Sequence, residues 1–147
     1  MMSLTLRPAT EADAKILFDW RNDLETRKNS RNTDPVSWKD HIQWVVASLK
    51  RSDRELLIAE QHVAVGTVRL DYSGDTCELS WTVAPEHRRK GFGREMVRLA
   101  MRQTRAPILI AEIKPENKAS FLIAQSLGFV EVARHDGLIK LQLSQSK

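Results

Sequence analysis

The stretch that decides the fold is Arg-Arg-Lys-Gly-Phe-Gly at residues 88–93. It follows a predicted strand, Thr76 to Val83, and it opens an amphipathic helix predicted from about Phe92 to Thr104. A glycine-containing turn at this point lets backbone N–H groups converge on one small volume, and the positive end of the helix dipole reinforces them. With three cationic side chains beside it, the turn is predicted to hold a pyrophosphate.

Two well-known phosphate loops do not fit this turn. The dinucleotide-binding fingerprint needs a third glycine where the chain has Met96, and the P-loop needs a Gly-Lys-Ser/Thr triplet that the turn lacks. On the two glycines alone, a simple tight turn is an open alternative. The two glycines alone do not identify the ligand, so the residues around the turn have to be considered.

Outward from the turn, the chain alternates between strand-like and helix-like segments. Further strands are predicted at Ser3–Arg7, Glu55–Glu60, Val63–Leu70, Ile108–Ile113, Phe129–Arg134 and Leu138–Leu143. Further helices are predicted from Thr10 to about Trp20, from Ser37 onward, and from Asn117 to Gly128, with Glu25–Pro35 as a long loop. The order β-α-α-β-β-β-α-β-α-β-β predicts an α/β (α+β mixed) fold with helices on both faces of a mixed sheet.

Composition sets the class of protein. The 147 residues fit one domain over 1–147, and 41% hydrophobic with 29% charged residues is ordinary for a soluble globular protein. No apolar run is long enough to span a bilayer and the N-terminus lacks a signal-peptide pattern, so we expect a cytoplasmic protein without a membrane partner. The single cysteine, Cys77, excludes an intrachain disulfide, and the four histidines lack metal-ligand spacing, so no metal is expected.

In its full context, the segment Val83–Gly93 resembles the acetyl-coenzyme A loop of the GNAT N-acetyltransferase superfamily. Arg88, Gly91 and Gly93 match that family's Arg/Gln-x-x-Gly-x-Gly/Ala pattern, and a helix that opens with Asn117 and closes before Gly128-Phe129 resembles its second element. The resemblance covers essentially the whole chain. It implies a GNAT-like, mostly antiparallel twisted sheet of about seven strands with about four helices on both faces, and acetyl-CoA-dependent N-acetyltransferase activity without a metal.

The resemblance also implies which residues hold acetyl-CoA. The pyrophosphate is expected on the N–H groups of residues 89–93, and the peptide-like pantetheine arm is expected to pair with the preceding strand like an added strand. The predicted cofactor-binding residues are Trp81, Thr82, Val83, Arg88, Arg89, Lys90, Gly91, Phe92, Gly93, Asn117 and Ser120. Gly91 and Gly93 are expected because a Cβ would block close approach. For Asn117, helix N-capping is an equal and compatible alternative.

Acetyl transfer needs a neutral amine, so a base must take its proton. Glu78 is the predicted base, because it shares one face of its strand with Ser80 and Thr82; a plain surface carboxylate is the alternative. By the resemblance, the N–H of Val83 is expected to polarise the thioester carbonyl. The family's tyrosine acid is replaced by Ala124, which leaves water or Ser120 to protonate the thiolate. Cys77 is predicted to be buried and structural, because nothing near it in sequence would activate a thiol.

The N-terminal third is expected to shape the acceptor site. Residues 19–35 resemble those of the amino-sugar-nucleotide N-acetyltransferases of pseudaminic-acid-type pathways and, more loosely, those of the ribosomal-protein N-terminal acetyltransferases. The predicted acceptor-binding residues are Trp20, Arg21, Asn22 and Arg31. Trp20 would stack on a base or sugar and the arginines would meet phosphates. The alternative puts Trp20 in the core and pairs Arg21 with Asp23.

Two non-enzymatic interpretations stay open at this point. One is a catalytically weak acetyl-CoA-binding module, suggested by Ala124. The other is a nucleic-acid-binding protein, suggested by the net charge of +4 and by Arg94, Arg98 and Arg102 along one side of a helix. We favour an enzyme that acetylates a primary amine of a small molecule by direct attack in a ternary complex, with a nucleotide-linked amino sugar as one candidate acceptor. Acetylation of a protein N-terminus or lysine is the alternative enzymatic interpretation. We expect no nucleic-acid partner and a monomer or homodimer.

Overall fold

The computed structural model describes residues 3–145, which form seven strands and five α-helices. The strands are β1 (Thr5–Pro8), β2 (Arg54–Gln61), β3 (Val63–Ser73), β4 (Thr76–Val83), β5 (Ile108–Ile113), β6 (Val130–His135) and β7 (Leu138–Ser144). The helices are α1 (Ala14–Asn22), α2 (Leu24–Lys28), α3 (Trp38–Lys50), α4 (Phe92–Gln103) and α5 (Lys118–Ser126). These elements confirm the predicted mixed α/β class.

All seven strands belong to one sheet, in the order β1-β2-β3-β4-β5-β7-β6. Neighbouring strands are antiparallel except β4 and β5, which are parallel because the chain crosses over through α4 between them. The sheet is therefore mostly antiparallel, as the sequence predicted. Its single parallel pair lies in the middle, where the glycine turn joins β4 to α4.

Two hydrophobic cores cover the two faces of the sheet. The larger core lies under α4 and α5 and includes Leu79, Met96, Val97, Leu109 and Phe129. The smaller core lies under α1 and α3 and includes Leu17, Val45 and Ile58. Helices on both faces confirm the layered arrangement expected from the order of the elements. Within the described residues, no helix is long and apolar enough to cross a membrane.

The helix boundaries follow the capping residues that the sequence offers. The backbone N–H of Thr10 donates to Asp13 at 2.8 Å, and Ser37 accepts from the N–H of Asp40 at the start of α3. Asn117 accepts from the N–H of Ser120 at 3.3 Å, so its predicted role as the N-cap of α5 is confirmed. Gly128 has φ of +103°, the left-handed conformation expected just after a helix.

One prediction of local structure is wrong. The segment Glu25–Pro35 is not a continuous loop, because Leu24–Lys28 forms α2 and raises the helix count from about four to five. This helix buries none of its residues and has only five of them, so it leaves no hydrophobic periodicity for sequence analysis to detect. It depends instead on its N-cap: the carboxylate of Asp23 accepts from the N–H of Thr26 at 3.2 Å.

Candidate active site

The central parallel pair opens into a gap. Strands β4 and β5 pair only from Thr76 opposite Ile108 to Glu78 opposite Ile110, and the remainder of β4, residues 79–83, has no partner on that side. The N–H of Ala84 donates to Val65 at 2.8 Å, which fixes the alternation along β4. Residue 82 therefore turns its main-chain groups toward β3, whereas Trp81 and Val83 turn theirs into the gap. Two of the three predicted strand residues thus offer free main-chain groups there, and Thr82 does not.

The glycine turn forms a ring of unused main-chain donors at the mouth of this gap. Arg89 and Gly91 both adopt left-handed conformations, with φ of +63° and +83°. Among the described residues, no oxygen accepts a hydrogen bond from the N–H groups of residues 89–94. Alternating right- and left-handed residues at a helix N-terminus make a concave anion site. Gly91 is required because its conformation costs other L-residues about 1–2 kcal/mol.

The three cationic side chains of the turn differ in whether they form ion pairs. Arg89 and Lys90 are exposed and form no ion pair with the described residues, so they remain available to a phosphate. The guanidinium of Arg88, by contrast, pairs with the carboxylates of Asp23 at 2.7 Å and Glu25 at 2.8 Å. Its side chain ties α2 to the turn, and its contact with the cofactor stays a prediction.

The contact with Arg88 lowers the pKa of Asp23. Burial alone would raise the pKa of Asp23, but hydrogen bonds from Arg88 and from Thr26 outweigh burial and hold the pKa below its usual range. The same carboxylate therefore caps α2 and anchors it to the turn. Through this one residue, the position of the acceptor-side helix depends on the cofactor-side loop.

Packing within the chain gives one reason why residue 93 is a glycine. A Cβ built on it would lie 2.8 Å from Cδ1 of Ile123 and 3.4 Å from Cγ2 of Val83. The residue is buried between α5 and the end of β4, so its missing side chain permits helix packing, and its part in the approach of a phosphate stays a prediction. The pattern of the family is present, but only Gly91 shapes the turn itself.

On the opposite face of the sheet, two carboxylates share one arginine. Arg31 reaches from the segment before α3 and contacts Glu78 at 3.1 Å and Glu112 at 2.8 Å. Glu78 is the last residue of β4 that still pairs with β5, and its side chain is 29% exposed. His135 lies 3.1 Å from the other oxygen of Glu112. The predicted base therefore sits in a charged cluster at the closed end of the gap.

A groove of about 590 Å³ continues from this cluster along β5. Its lining residues are Arg31, Glu112, Lys114, Glu116, His135, Asp136, Gly137 and Leu138. Counting Glu78, which shares Arg31 with Glu112, four carboxylates face the side chains of Arg31 and Lys114, so the groove is negative overall. Such a surface favours a cationic ligand over a phosphate.

The remaining predicted acceptor residues, Trp20, Arg21 and Asn22, make contacts within the chain, and their role in acceptor binding stays a prediction. Trp20 is only 6% exposed and packs in the smaller core, so the alternative interpretation of this residue is the one observed. Arg21 donates to the carbonyl of Asn32 at 2.9 Å and does not pair with Asp23. Burial, followed by the charge of Arg27, lowers the pKa of Arg21. The side-chain amide of Asn22 donates to the carbonyl of Val36 and accepts from the N–H of the same residue.

Two buried residues exclude a cysteine nucleophile and a tyrosine acid at the positions considered in the sequence analysis. Burial raises the pKa of the Cys77 thiol to about 11, and the side chain is fully enclosed, so it cannot serve as a thiolate nucleophile at neutral pH. Ala124 is also fully buried, and its carbonyl accepts from the N–H of Phe129 at 3.0 Å. A tyrosine side chain has no room at that position. The described residues contain no group of three or more His, Cys, Asp or Glu placed to hold a metal.

Sequence reasoning missed Asp23, Glu112 and His135. Only Glu112 left a signal: it is the one charged residue in an otherwise apolar strand, Ile-Leu-Ile-Ala-Glu-Ile at 108–113.

The arginines that suggested nucleic acid are partly used within the chain, since Arg98 pairs with Glu95 and Arg94 donates to Ser126.

An open strand gap, an unpaired donor turn and a carboxylate beside them suit a thioester-dependent acyl transfer to an amine. Residues 3–130 match the acetyltransferase (GNAT) domain, so the chain belongs to the GNAT acetyltransferase family. It is an acetyl-CoA-dependent N-acetyltransferase. No protein among the curated sequences matches the chain.

Solved structures agree over nearly the whole length. The Salmonella typhimurium protein yncA, solved with its cofactor acetyl-CoA, is 26% identical with a TM-score of 0.79, covering 99% of this chain and 95% of its own. A ribosomal-protein-alanine N-acetyltransferase from Brucella melitensis is 27% identical with a TM-score of 0.78, covering 96% and 99%. Spermidine N-acetyltransferase from Vibrio cholerae, in complex with CoA and spermine, is 18% identical with a TM-score of 0.87, covering 97% and 95%.

Proposed function

We propose that this enzyme transfers the acetyl group of acetyl-CoA to the primary amine of a small cationic molecule, by direct attack of the amine. The observation that carries the proposal is the position of Glu78, at the closed end of the β4–β5 gap and in contact with Arg31, which lines the acidic groove. A carboxylate there can receive an amine proton from the groove side while the acetyl donor enters from the turn side.

Bound acetyl-CoA supplies the activated acyl group. The residues that would hold it are the main-chain donors of 89–94, the exposed cations Arg89 and Lys90, and the gap-facing main-chain groups of Trp81 and Val83. Asn117 and Ser120 stand at the start of α5, where Asn117 already caps the helix. The fit rests on unused donors and on the left-handed Gly91, both of which suit a pyrophosphate.

The step proposed is a single displacement. The amine nitrogen forms a bond to the thioester carbon, the carbon–sulfur bond breaks, and the amine proton passes to Glu78 directly or through a water. The departing sulfur takes a proton from water or from Ser120. Since the Cys77 thiol is buried and protonated, no acetyl-cysteine is formed.

Distance along the strand refines the role given to Val83. Val83 lies five residues beyond Glu78, which is about 16 Å of strand, whereas Trp81 lies three residues beyond it, about 10 Å. A reacting centre held by the N–H of Trp81 lies closer to Glu78 than one held by the N–H of Val83, which would need a bridging water to reach the carboxylate. The N–H of Trp81 faces the same gap, so we assign the polarising of the thioester carbonyl to Trp81 and the holding of the arm to Val83.

The charge of the groove supports one kind of acceptor over another. Arg31 was predicted to meet a phosphate, but its guanidinium is already shared by Glu78 and Glu112. An amine with a second positive charge can replace that guanidinium on the same carboxylates, whereas a nucleotide-linked sugar would bring phosphates toward them. We therefore favour a diamine or another small cationic amine over a sugar nucleotide.

A second candidate is acetylation of a protein N-terminus. The 27% identity to the ribosomal-protein-alanine N-acetyltransferase over nearly the whole chain favours it. An N-terminal amine is a primary amine, and the groove is lined on one side by the exposed residues Asp136 and Gly137. The two candidates share the cofactor site and the base and differ only in what fills the groove.

The test is thiol release from acetyl-CoA with four amine classes: diamines, amino sugars, a nucleotide-linked amino sugar, and peptides with free N-termini. We expect diamines to give the highest kcat/KM. Faster turnover of peptides would support the second candidate. Tight CoA binding without thiol release from any amine would show a binding module and contradict the enzyme proposal. The cytoplasmic location, the single-domain extent over 1–147, the absence of a nucleic-acid partner and the monomeric or dimeric state remain predictions.

A further inference from the structure

Glu112 is a charged residue in a strand that otherwise packs into the core. Strand β5 alternates, so that its odd-numbered residues from Leu109 to Ile113 lie in the larger core, whereas Glu112 projects from the opposite face of the sheet. Its side chain is 16% exposed, and a charged side chain with so little exposure ordinarily has a charged partner. Here the partner is Arg31, which lies 81 positions away in the sequence.

The contact between Glu112 and Arg31 is open to exchange. The Arg31 side chain is 58% exposed and reaches both Glu112 and Glu78 through one nitrogen, Nη2, at 2.8 and 3.1 Å. An ion pair with such an exposed member contributes little stability, so a cation from solution can take the place of the guanidinium. The carboxylate of Glu112 is therefore a cation site that an internal guanidinium occupies.

Glu112 and Glu78 stand on opposite sides of the β4–β5 gap. Glu78 opposes Ile110 in the last pair of these two strands, and Glu112 lies two residues further along β5, where the strands no longer pair. Glu112 also lines the acidic groove, and its other oxygen lies 3.1 Å from Nε2 of His135. The two carboxylates are close enough to share one nitrogen but belong to different walls of the site, so one molecule with two amino groups can contact both.

We propose that Glu112 determines acceptor specificity: its carboxylate binds the second, non-reacting ammonium group of a diamine in the place now taken by the Arg31 guanidinium. This inference rests on the proposed function, in which Glu78 takes the proton of the reacting amine. Glu112 forms only a charge-assisted hydrogen bond with the acceptor and takes no part in the transfer. An amine without a second charge lacks this contact, so the enzyme distinguishes diamines from monoamines at Glu112.

The first experiment compares butane-1,4-diamine with butan-1-amine, which has the same carbon chain and one amino group fewer. With the wild type, we expect KM for the diamine to be at least about 10-fold lower than KM for the monoamine. Glu112→Gln should raise KM for the diamine about 10-fold, while its KM for the monoamine and its kcat for both amines stay within about 2-fold of wild type. Glu131→Gln is the matched control, since Glu131 is also a strand glutamate paired with an arginine, Arg134 at 2.8 Å, and it should change neither KM.

The second experiment separates binding of the acceptor from the anchoring of Arg31. In an Arg31→Gln background there is no guanidinium to hold, so Glu112→Gln should still raise KM for the diamine about 10-fold over Arg31→Gln alone. A CoA affinity equal to that of the wild type shows that each variant is folded. An unchanged KM in this background would mean that Glu112 acts only through Arg31, and it would overturn the inference.

The wild type alone provides a further test that needs no variant to fold. Equal KM values for butane-1,4-diamine and butan-1-amine would overturn the role of Glu112 and leave the base and the cofactor site in place. Turnover of neither amine by wild-type protein that binds CoA would contradict the proposed function itself.

Discussion

The two sides of this active site are built in opposite ways. The cofactor side consists of main-chain groups: the free N–H groups of residues 89–94 and the unpaired edge of β4 beyond Glu78. The acceptor side consists of side chains from distant segments, since Arg31 is 47 positions from Glu78 and 81 from Glu112. A ligand common to a family can be held by backbone geometry, while the ligand particular to one member depends on side chains that can change freely.

The largest effect is expected from a substitution in the glycine turn, on the cofactor side of the site. Gly91→Asp forces a side chain into a left-handed conformation and adds a negative charge where the pyrophosphate would bind. We expect CoA affinity to fall at least 100-fold, about 2.7 kcal/mol, by calorimetric titration.

The matched control is Gly74→Asp, because Gly74 also has a positive φ, +59°, in the hairpin between β3 and β4. It should lose comparable stability but retain wild-type CoA affinity. A similar loss of affinity in both variants would show that the effect is general destabilisation and not damage to a phosphate site.

The next largest effect is expected from the base. Glu78→Gln removes the proton acceptor but keeps the size of the side chain, so kcat should fall about 100-fold. CoA affinity should stay unchanged, because the carboxylate lies on the acceptor side. Glu131→Gln, on the exposed strand β6, is the control and should match the wild type. Equal kcat values for Glu78→Gln and the wild type across the pH range would show that Glu78 is not the base.

A smaller effect is expected at the shared arginine. In Arg31→Gln, Glu78 and Glu112 lose their internal cation, so a cationic amine no longer has to displace it. We expect KM for a diamine to fall about 10-fold, with CoA affinity unchanged. Arg105→Gln, an exposed position with no ion pair among the described residues, should have no effect. A rise in KM that is confined to phosphate-bearing acceptors would support the sugar-nucleotide interpretation instead.

The smallest effect concerns the contact that joins the two sides. Because the pKa of Asp23 is lowered in the folded state, its contact with Arg88 contributes stability above the unfolded pKa of about 4, and this contribution is lost as pH falls through the folded pKa. Asp23→Asn should therefore lower the free energy of unfolding by about 1 kcal/mol at pH 7 and by nothing near pH 2.

The control for this measurement is Asp19→Asn, which breaks the exposed pair with Lys15. It should cost at most about 0.5 kcal/mol in denaturant unfolding at pH 7. A loss for Asp23→Asn that is the same at both pH values would mean that the carboxylate stabilises the fold without its charge.

The same contrast explains what could be predicted from the sequence. Strand β4, strand β5 and the start of α4 were predicted at the residues where they occur, because hydrophobic periodicity and glycine placement are local signals. Helix α2 was missed because it buries nothing and depends on Asp23. The ion pairs of Arg31 and Arg88 were not predicted, because their carboxylate partners come from other segments and no local sequence pattern indicates such a contact.

The central claim is that main-chain donors of residues 89–94 hold the pyrophosphate of acetyl-CoA at the mouth of the β4–β5 gap. The most direct measurement is a backbone amide NMR titration with CoA on the wild-type protein. We predict that the amide signals of residues 89–94 shift most, with those of Trp81 and Val83 next. Binding of CoA that leaves the amides of 89–94 unshifted, or no binding at all, would contradict the account.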